Sequence, residues 1–93
     1  MNRLFTVVVI LISFSSQAQL TKDAYEKQVY NHNGQSLNYR ILYPEGFNKN
    51  KSYPVVLFLH GAGERGSDNE KQLIHGSSLF LDEGFRKDHP SIV

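Results

Sequence analysis

The sequence predicts the α/β fold class, with a parallel strand at its centre. Residues 55–59, "VVLFL", form an unbroken apolar run of strand-forming residues. A strand that is apolar on both faces is covered on both faces, as in a parallel sheet. A hairpin signal precedes this run, and two short helical patterns follow it. We therefore expect residues 55–59 to be the central strand, with the other elements arranged around it.

Residues 1–18 have the pattern of a secretory signal peptide. Arg3 supplies the positive charge, Leu4–Phe14 is largely apolar, and Ser16-Gln17-Ala18 has the small-x-small form that signal peptidase reads. Cleavage after Ala18 would send the chain to a periplasm or outside the cell. The alternative is an uncleaved N-terminal anchor, although the apolar stretch is short for a helix that spans a bilayer. The sequence therefore predicts a secreted or periplasmic protein.

Composition argues against nucleic acid as a partner. The chain of 93 residues carries a net charge of +1, and this falls to 0 when Arg3 leaves with the signal peptide. No basic surplus remains to neutralise phosphates. The sequence also lacks cysteine, so disulfides cannot reinforce a small exported domain. Something other than disulfide bonds must stabilise residues 19–93.

The first predicted element of the mature chain is a β-hairpin with arms Tyr25–Asn31 and Ser36–Tyr43. Between them, Asn33-Gly34 is a strong hairpin signal, because a type I′ turn requires positive φ at both central residues. Apolar and polar residues alternate in the second arm, which predicts one buried face. That face consists of Leu37, Tyr39, Ile41 and Tyr43. Leu42 interrupts the polar set, so we expect the opposite face to be partly covered.

Two short helices are predicted after the central strand. The first, ending near Ile74, has Asp68 or Asn69 as its cap, and the second, ending near Lys87, begins at the serines Ser77-Ser78. Gly76 is expected to end the first of them.

Residues 91–93 are predicted to begin a further strand. A buried parallel strand needs neighbours on both sides, and the elements named so far cannot cover both faces of residues 55–59. Residues 19–93 are therefore predicted to be the N-terminal portion of a larger domain, and to need the remainder of that domain in order to fold.

The glycines at positions 61, 63 and 66 spell G-x-G-x-x-G, which has two functional interpretations. In a dinucleotide site the helix start would hold a pyrophosphate, and the carboxylate of Glu64 would repel it. In an oxyanion-hole loop of the HGGG type, glycines let a backbone N–H approach the substrate carbonyl oxygen. The simplest structural alternative is a tight exit from the strand, with His60 hydrogen bonding locally.

The segment "YPVVLFLHGAGERGSDNEKQLIHG", with "LNYRILYPEGF" upstream, resembles exported bacterial α/β-hydrolases of the phospholipase/carboxylesterase family, which are labelled esterases or predicted peptidases. The similarity covers about Asn38 to Val93. It implies the N-terminal part of an α/β-hydrolase fold, in which the hairpin supplies the first two strands and residues 55–59 are the third.

The resemblance implies specific roles in the loop that follows. Ala62 would donate an oxyanion-hole N–H, with Gly63 as the neighbouring candidate, and His60 would organise the loop rather than act as the catalytic base. The other loop-organising residues are Gly61, Glu64 and Arg65. The last two are predicted to form an ion pair that orders the loop, unless both charges remain solvated.

The expected function is hydrolysis of carboxylic esters by a serine nucleophile, through an acyl-enzyme. The family's G-x-S-x-G elbow, acid and histidine are not in this sequence, and Gly76-Ser77-Ser78 is not an elbow, so residues 1–93 alone are predicted to be inactive. The expected substrate is a small-molecule or polysaccharide-linked ester. No cofactor, metal ion or stable membrane anchor is expected. The alternatives are a non-catalytic module that binds carbohydrate and a nucleotide-dependent oxidoreductase.

Overall fold

The computed structural model describes residues 3–4, 6–13 and 19–93. The predicted cleavage site, Ser16-Gln17-Ala18, lies outside the described residues. Within the described ranges, no helix is both long enough and apolar enough to cross a membrane.

An antiparallel hairpin is the main regular element. It pairs β1 (Glu26–His32) with β2 (Gln35–Ile41), and Tyr30 lies opposite Leu37 in the register. The turn between the strands has φ of 49° at Asn33 and 74° at Gly34. Positive φ at both positions is what a type I′ turn needs, and its twist matches that of the strands. The predicted hairpin and its turn are confirmed, with strand bounds that differ by one or two residues.

The exposure of the hairpin corrects the predicted buried face. Leu37 is 61% exposed and Tyr39 is 39% exposed, although both were expected to be buried. Leu42, which follows β2 on the other face, is only 4% exposed, whereas Ser36 and Asn38 on that face are exposed, so the face is partly covered, as predicted. Alternation identifies the residues that share a face, but the position of the remaining chain decides which face is buried.

The prediction of an α/β fold with a parallel central strand is wrong. Val55 forms one isolated parallel bridge with Ile92, in which Val56 N–H donates to Ile92 O at 2.8 Å and Ile92 N–H donates to Pro54 O at 2.9 Å. In the part of the chain that the structure describes, the sheet consists of β1 and β2 alone. This is not an α/β-hydrolase arrangement. The hairpin and residues 55–59, which were expected to be strands one to three of one sheet, do not join in a sheet.

The physical reason for this difference is the lack of neighbours for residues 55–59. Among residues 19–93, Ile92 alone pairs with this segment through the backbone, at its start. The next residue, Val93, is engaged with Leu42 through reciprocal backbone hydrogen bonds of 2.8 and 3.0 Å. Val55, Leu57 and Leu59 are all at least 74% exposed. An extended segment without partners on both sides and without covering layers does not become a central strand.

The helical segments are shorter than predicted. The 3-10 turns are Lys22–Ala24, Ala62–Glu64, Lys71–Leu73 and Ser77–Leu81, and the α-helix, α1, is Glu83–Asp88. The predicted second helix is divided at Asp82, which has an extended backbone and whose carboxylate accepts a hydrogen bond from Phe85 N–H at 2.9 Å. Since an aspartate at this position satisfies a free N–H of the first helical turn, it starts a new helix rather than continuing the previous one.

The core is small and joins the hairpin to the helical segments. Its buried apolar members are Tyr25, Leu42, Leu73 and Leu81. Ser77 is also buried, at 1% exposure, and its carbonyl oxygen accepts a hydrogen bond of 2.7 Å from the Tyr25 hydroxyl. This bond connects the residue that precedes β1 to the 3-10 turn at Ser77–Leu81.

Replacing Tyr25 with phenylalanine is expected to lower the free energy of unfolding by about 1 to 2 kcal/mol near neutral pH, because the buried Ser77 carbonyl loses its donor. Burial raises the pKa of Tyr25 from 10.0 to about 12, against the opposing effect of the Arg86 guanidinium. The folded state therefore favours the neutral phenol. Stability from this group is fully present below pH 10 and is lost as the pH rises toward 12, by up to about 1.4 kcal/mol per pH unit.

Urea unfolding of the wild type and of Tyr25→Phe checks this prediction at neutral pH and at a pH between 10 and 12. The difference between the two proteins should shrink at the higher pH. Tyr39→Phe is the matched control, since Tyr39 is 39% exposed, and it should follow the wild type at both pH values. Equal pH dependence in Tyr25→Phe and the wild type would contradict the prediction.

Candidate functional site

The glycine loop, defined as residues 60–66, turns through a short 3-10 segment. The segment Ala62–Glu64 follows an extended Gly61, and Glu64 N–H donates to Gly61 O at 3.2 Å. The first N–H groups of a helical turn have no acceptor within it. Accordingly, the N–H groups of Ala62 and Gly63 donate to no acceptor among residues 19–93. The loop thus presents two adjacent backbone donors.

The side chains of His60 and Glu64 both lie close to Gly61. The Nδ1 of His60 is 2.7 Å from Gly61 O, and it donates to that oxygen in the tautomer that carries its proton there. The Glu64 carboxylate folds back, so that a Cβ at position 61 would lie 3.4 Å from Oε2. A Cβ at position 63 would meet nothing within 4 Å. Space is therefore restricted at Gly61 and open at Gly63.

The predicted ion pair of Glu64 with Arg65 is not formed. Within the described ranges, the ion pairs are those of Glu70 with Lys27 and with Arg40. Arg65 is exposed and follows the 3-10 turn with an extended backbone. The structure therefore places the six predicted site residues, 60 to 65, in one loop. Backbone hydrogen bonds and the His60 side chain hold the conformation of this loop, and paired charges do not.

Asp68 organises the segment that follows the glycine loop. Its carboxylate accepts hydrogen bonds from the N–H groups of Glu70 and Lys71 at 3.0 and 3.1 Å. These two bonds hold the pKa of Asp68 below its ordinary value, because they favour the charged form. The predicted cap is therefore only partly realised. Glu70 occupies the N-cap position without a side-chain cap bond, Asp68, two positions earlier, accepts the bonds, and the helical segment is a single 3-10 turn.

Arg40, which the sequence did not single out, and Asn69, which it offered only as a cap, attach this segment to the hairpin. The Arg40 side chain donates from Nε to Asn69 O at 2.7 Å and from Nη1 to Tyr25 O at 2.6 Å. Asn69 has a φ of 56°, and its amide donates to Tyr39 O at 3.1 Å. Asparagine enters this left-handed region more readily than most residues, which was a signal for a special backbone position at Asn69. No pattern in the sequence indicated its pairing with Arg40.

An apolar groove of about 470 Å³ lies beside the glycine loop. It runs between β2 and the extended residues 55–59. Its lining includes Leu37, Tyr39, Leu57, Leu59, His60 and Glu64. Ligand sites of this size are mainly apolar with a few polar groups, and the loop supplies the polar groups here. Within the described ranges, no group of three His, Asp or Glu residues is placed to hold a metal ion.

Comparisons with known proteins relate part of the chain to hydrolases. The chain is 30% identical over 66 residues to "Probable dipeptidyl-peptidase 5" of Aspergillus niger, which covers 71% of this chain and 9% of that protein. It is 33% identical over 45 residues to the protein of the same name from Emericella nidulans, covering 48% of this chain and 6% of that protein. No protein-family model matches the chain. No solved structure matches it.

The similarity to these relatives is limited in length and in specificity. The chain spans less than a tenth of the length of either relative. Both are fungal and are named as peptidases, so they do not point to the bacterial carboxylesterase family in particular. The chain is weakly similar, over part of its length, to proteins named as hydrolases.

Proposed function

We propose that this chain forms part of a serine hydrolase and that its glycine loop contributes to the oxyanion hole. The N–H of Ala62 is the first donor, and the N–H of Gly63 is the second. The observation that carries the proposal is the turn at Ala62–Glu64, where two adjacent donors have no acceptor among residues 19–93 and the space beside Gly63 is open. The partial similarity to peptidases supports the same reaction class.

The proposed chemistry explains why such donors matter. A serine hydroxyl attacks the substrate carbonyl carbon, and the electron pair of the C=O bond moves onto its oxygen. Fixed N–H groups stabilise that negative charge more strongly than they stabilise the neutral carbonyl, which lowers the barrier. The serine proton passes to the histidine and from there to the departing alkoxide, so that collapse of the intermediate expels the alcohol, and water then releases the acid from the acyl-enzyme. The serine, acid and histidine belong, in this proposal, to a part of the hydrolase outside this chain.

The proposed substrate is a carboxylic ester. The groove beside the loop is lined largely by apolar side chains from β2 and residues 55–59, which suits an apolar acyl or alcohol group. The names of the fungal relatives make an amide the competing substrate, and the test below separates the two. Residues 1–18 are proposed to direct export, since their pattern is that of a signal peptide.

Fluorophosphonate labelling tests the proposal, because the probe reacts with an activated serine. The native protein is captured from its source with an antibody raised against residues 19–93 and is then treated with the probe. We expect labelling that heat denaturation abolishes, and turnover of an unactivated alkyl ester with no detectable cleavage of the matching alkyl amide. The recombinant chain of residues 1–93 is the control and should not be labelled.

The outcomes separate the competing interpretations. A native protein that stays unlabelled contradicts a serine hydrolase and favours a binding module. Labelling with measurable cleavage of the amide retains the reaction class and overturns the ester substrate.

A further inference from the structure

Arg40 is almost completely buried between the hairpin and the segment that follows the glycine loop. Its side chain is 8% exposed, and its Nη2 is 3.9 Å from the Glu70 carboxylate. Nε and Nη1 donate to the carbonyl oxygens of Asn69 and Tyr25. A buried guanidinium is costly unless its donors are satisfied, so these contacts must persist for the side chain to stay where it is. Arg40 thus fixes Asn69 relative to β2.

In a second contact, Asn69 is the hydrogen-bond donor and the hairpin supplies the acceptor. The Asn69 side chain donates to Tyr39 O, while the Asn69 carbonyl accepts from the neighbouring Arg40. Two successive residues of β2 therefore hold both the backbone and the side chain of one loop residue. Lys27 also contacts Glu70 at 3.0 Å, but its side chain is 54% exposed, so that pair contributes little.

The glycine loop lies between this attachment and a second one. On its N-terminal side, the backbone bonds of Pro54 and Val56 with Ile92 fix the start of residues 55–59. On its C-terminal side, Arg40 and Asn69 fix the chain to β2. Asn38 of β2 adds a longer bond, from its side-chain amide to Ser67 O at 3.4 Å. Within the described ranges, no long-range hydrogen bond reaches residues 57–66 themselves, so hydrogen bonds hold Ala62 only through the segments on either side of the glycine loop.

We propose that Arg40 is a positioning residue for the oxyanion-hole donors: it holds the C-terminal side of the glycine loop so that the N–H groups of Ala62 and Gly63 keep a fixed direction. This inference rests on the proposed function for the meaning of those donors. The rigidity of the glycine loop is a separate physical property, and it can be measured without an assay of catalysis.

Amide hydrogen exchange on the native hydrolase that carries this chain tests the proposal in Arg40→Met. The reporter amides are those of Glu64, Glu70 and Lys71, each of which donates a hydrogen bond within the loops. Loss of the two charge-assisted bonds should raise their exchange rates by about tenfold or more. Amides of the hairpin near Asn33-Gly34 should keep their rates, because they lie far from Arg40 along β2.

Two further variants separate positioning from charge. Lys27→Met is the matched control, since it removes the other cation that contacts Glu70, and it should leave the reporter amides unchanged. Arg40→Lys keeps the positive charge but lacks the planar fork, so it should restore less than half of the lost protection. Complete rescue by lysine, unchanged loop exchange in Arg40→Met, or an equal increase in the hairpin would each overturn the positioning role.

The proposed function can fail while this inference stands. A native protein without fluorophosphonate labelling, combined with selective loosening of the loop in Arg40→Met, would contradict the serine hydrolase and leave Arg40 as the anchor of the loop. In a labelled enzyme, the same variant should lower kcat at least about tenfold with a smaller change in KM, because misdirected donors affect the transition state more than substrate binding.

Discussion

Ala62→Pro, introduced into the native hydrolase that carries this chain, is expected to lower kcat for a carboxylic ester by about a hundredfold, with little change in KM. Proline has no N–H, so the substitution removes the proposed oxyanion donor. The site tolerates the ring, because Ala62 is the first residue of a helical turn and Gly61 before it is extended, with φ of −84° and ψ of 176°. The variant therefore removes a donor without requiring a change of fold.

Glu83→Pro is the matched control for this experiment. Glu83 is the first residue of α1, and Asp82 before it is likewise extended, with φ of −61° and ψ of 128°. The same proline, in the same type of position but outside the glycine loop, should leave kcat at the wild-type value. Wild-type turnover by Ala62→Pro, or an equal loss in both variants, would contradict the role of the Ala62 N–H.

Leu81→Ala is expected to lower the free energy of unfolding by about 2 to 5 kcal/mol. Leu81 is 5% exposed and is one of the four buried apolar residues that form the core within residues 19–93. Removing its side chain takes away transfer free energy and leaves a cavity that so few neighbours cannot refill. Because small domains have only about 5 to 15 kcal/mol of stability in total, this loss is a large share of it.

Leu79→Ala tests whether burial is the cause. Leu79 lies in the same 3-10 segment, but its side chain is 55% exposed, so the same chemical change should cost less than about 1 kcal/mol. Urea unfolding of both variants and the wild type, followed by circular dichroism, gives the comparison. Equal losses in the two variants would show that burial of the Leu81 side chain in the core is not the cause.

The elements that the sequence predicts well are those decided by neighbouring residues. Asn33 and Gly34 take positive φ because asparagine tolerates that region and glycine has no Cβ to obstruct it, and the hairpin follows from that turn. Asp68 and Asp82 cap backbone N–H groups two or three residues away. In each case the residues that decide the structure are adjacent in the chain, so local patterns contain the information.

The central strand could not be predicted in the same way. The apolar run of residues 55–59 indicates a need for burial, but the partners that would satisfy it are distant in sequence. In the structure, Ile92 meets only the start of the run, and Val55, Leu57 and Leu59 stay exposed. A buried central strand and an unpaired apolar segment have the same composition, so periodicity alone cannot distinguish them.

In the candidate site too, local features could be predicted from the sequence and long-range contacts could not. The glycines at 61 and 63 indicated a loop with accessible backbone donors, and the two N–H groups lie at the opening of one turn. The contacts that hold this loop come from Arg40 and Asn69, which are separated by residues 41–68, including the extended residues 55–59 and the glycine loop itself. Their pairing is a property of the tertiary structure, and Arg40 has no unusual neighbours in the sequence.

The bridge between Val55 and Ile92 also has a consequence for the order of folding. The hairpin closes over a turn of two residues, whereas the bridge and the pair of Leu42 with Val93 require the chain to close long loops. Loop closure of this kind is slow relative to hairpin formation, which takes about 1 to 10 μs. During synthesis β1 and β2 leave the ribosome before Ile92 exists, so the hairpin can nucleate folding, and the segment carrying the glycine loop is the last to be drawn into place.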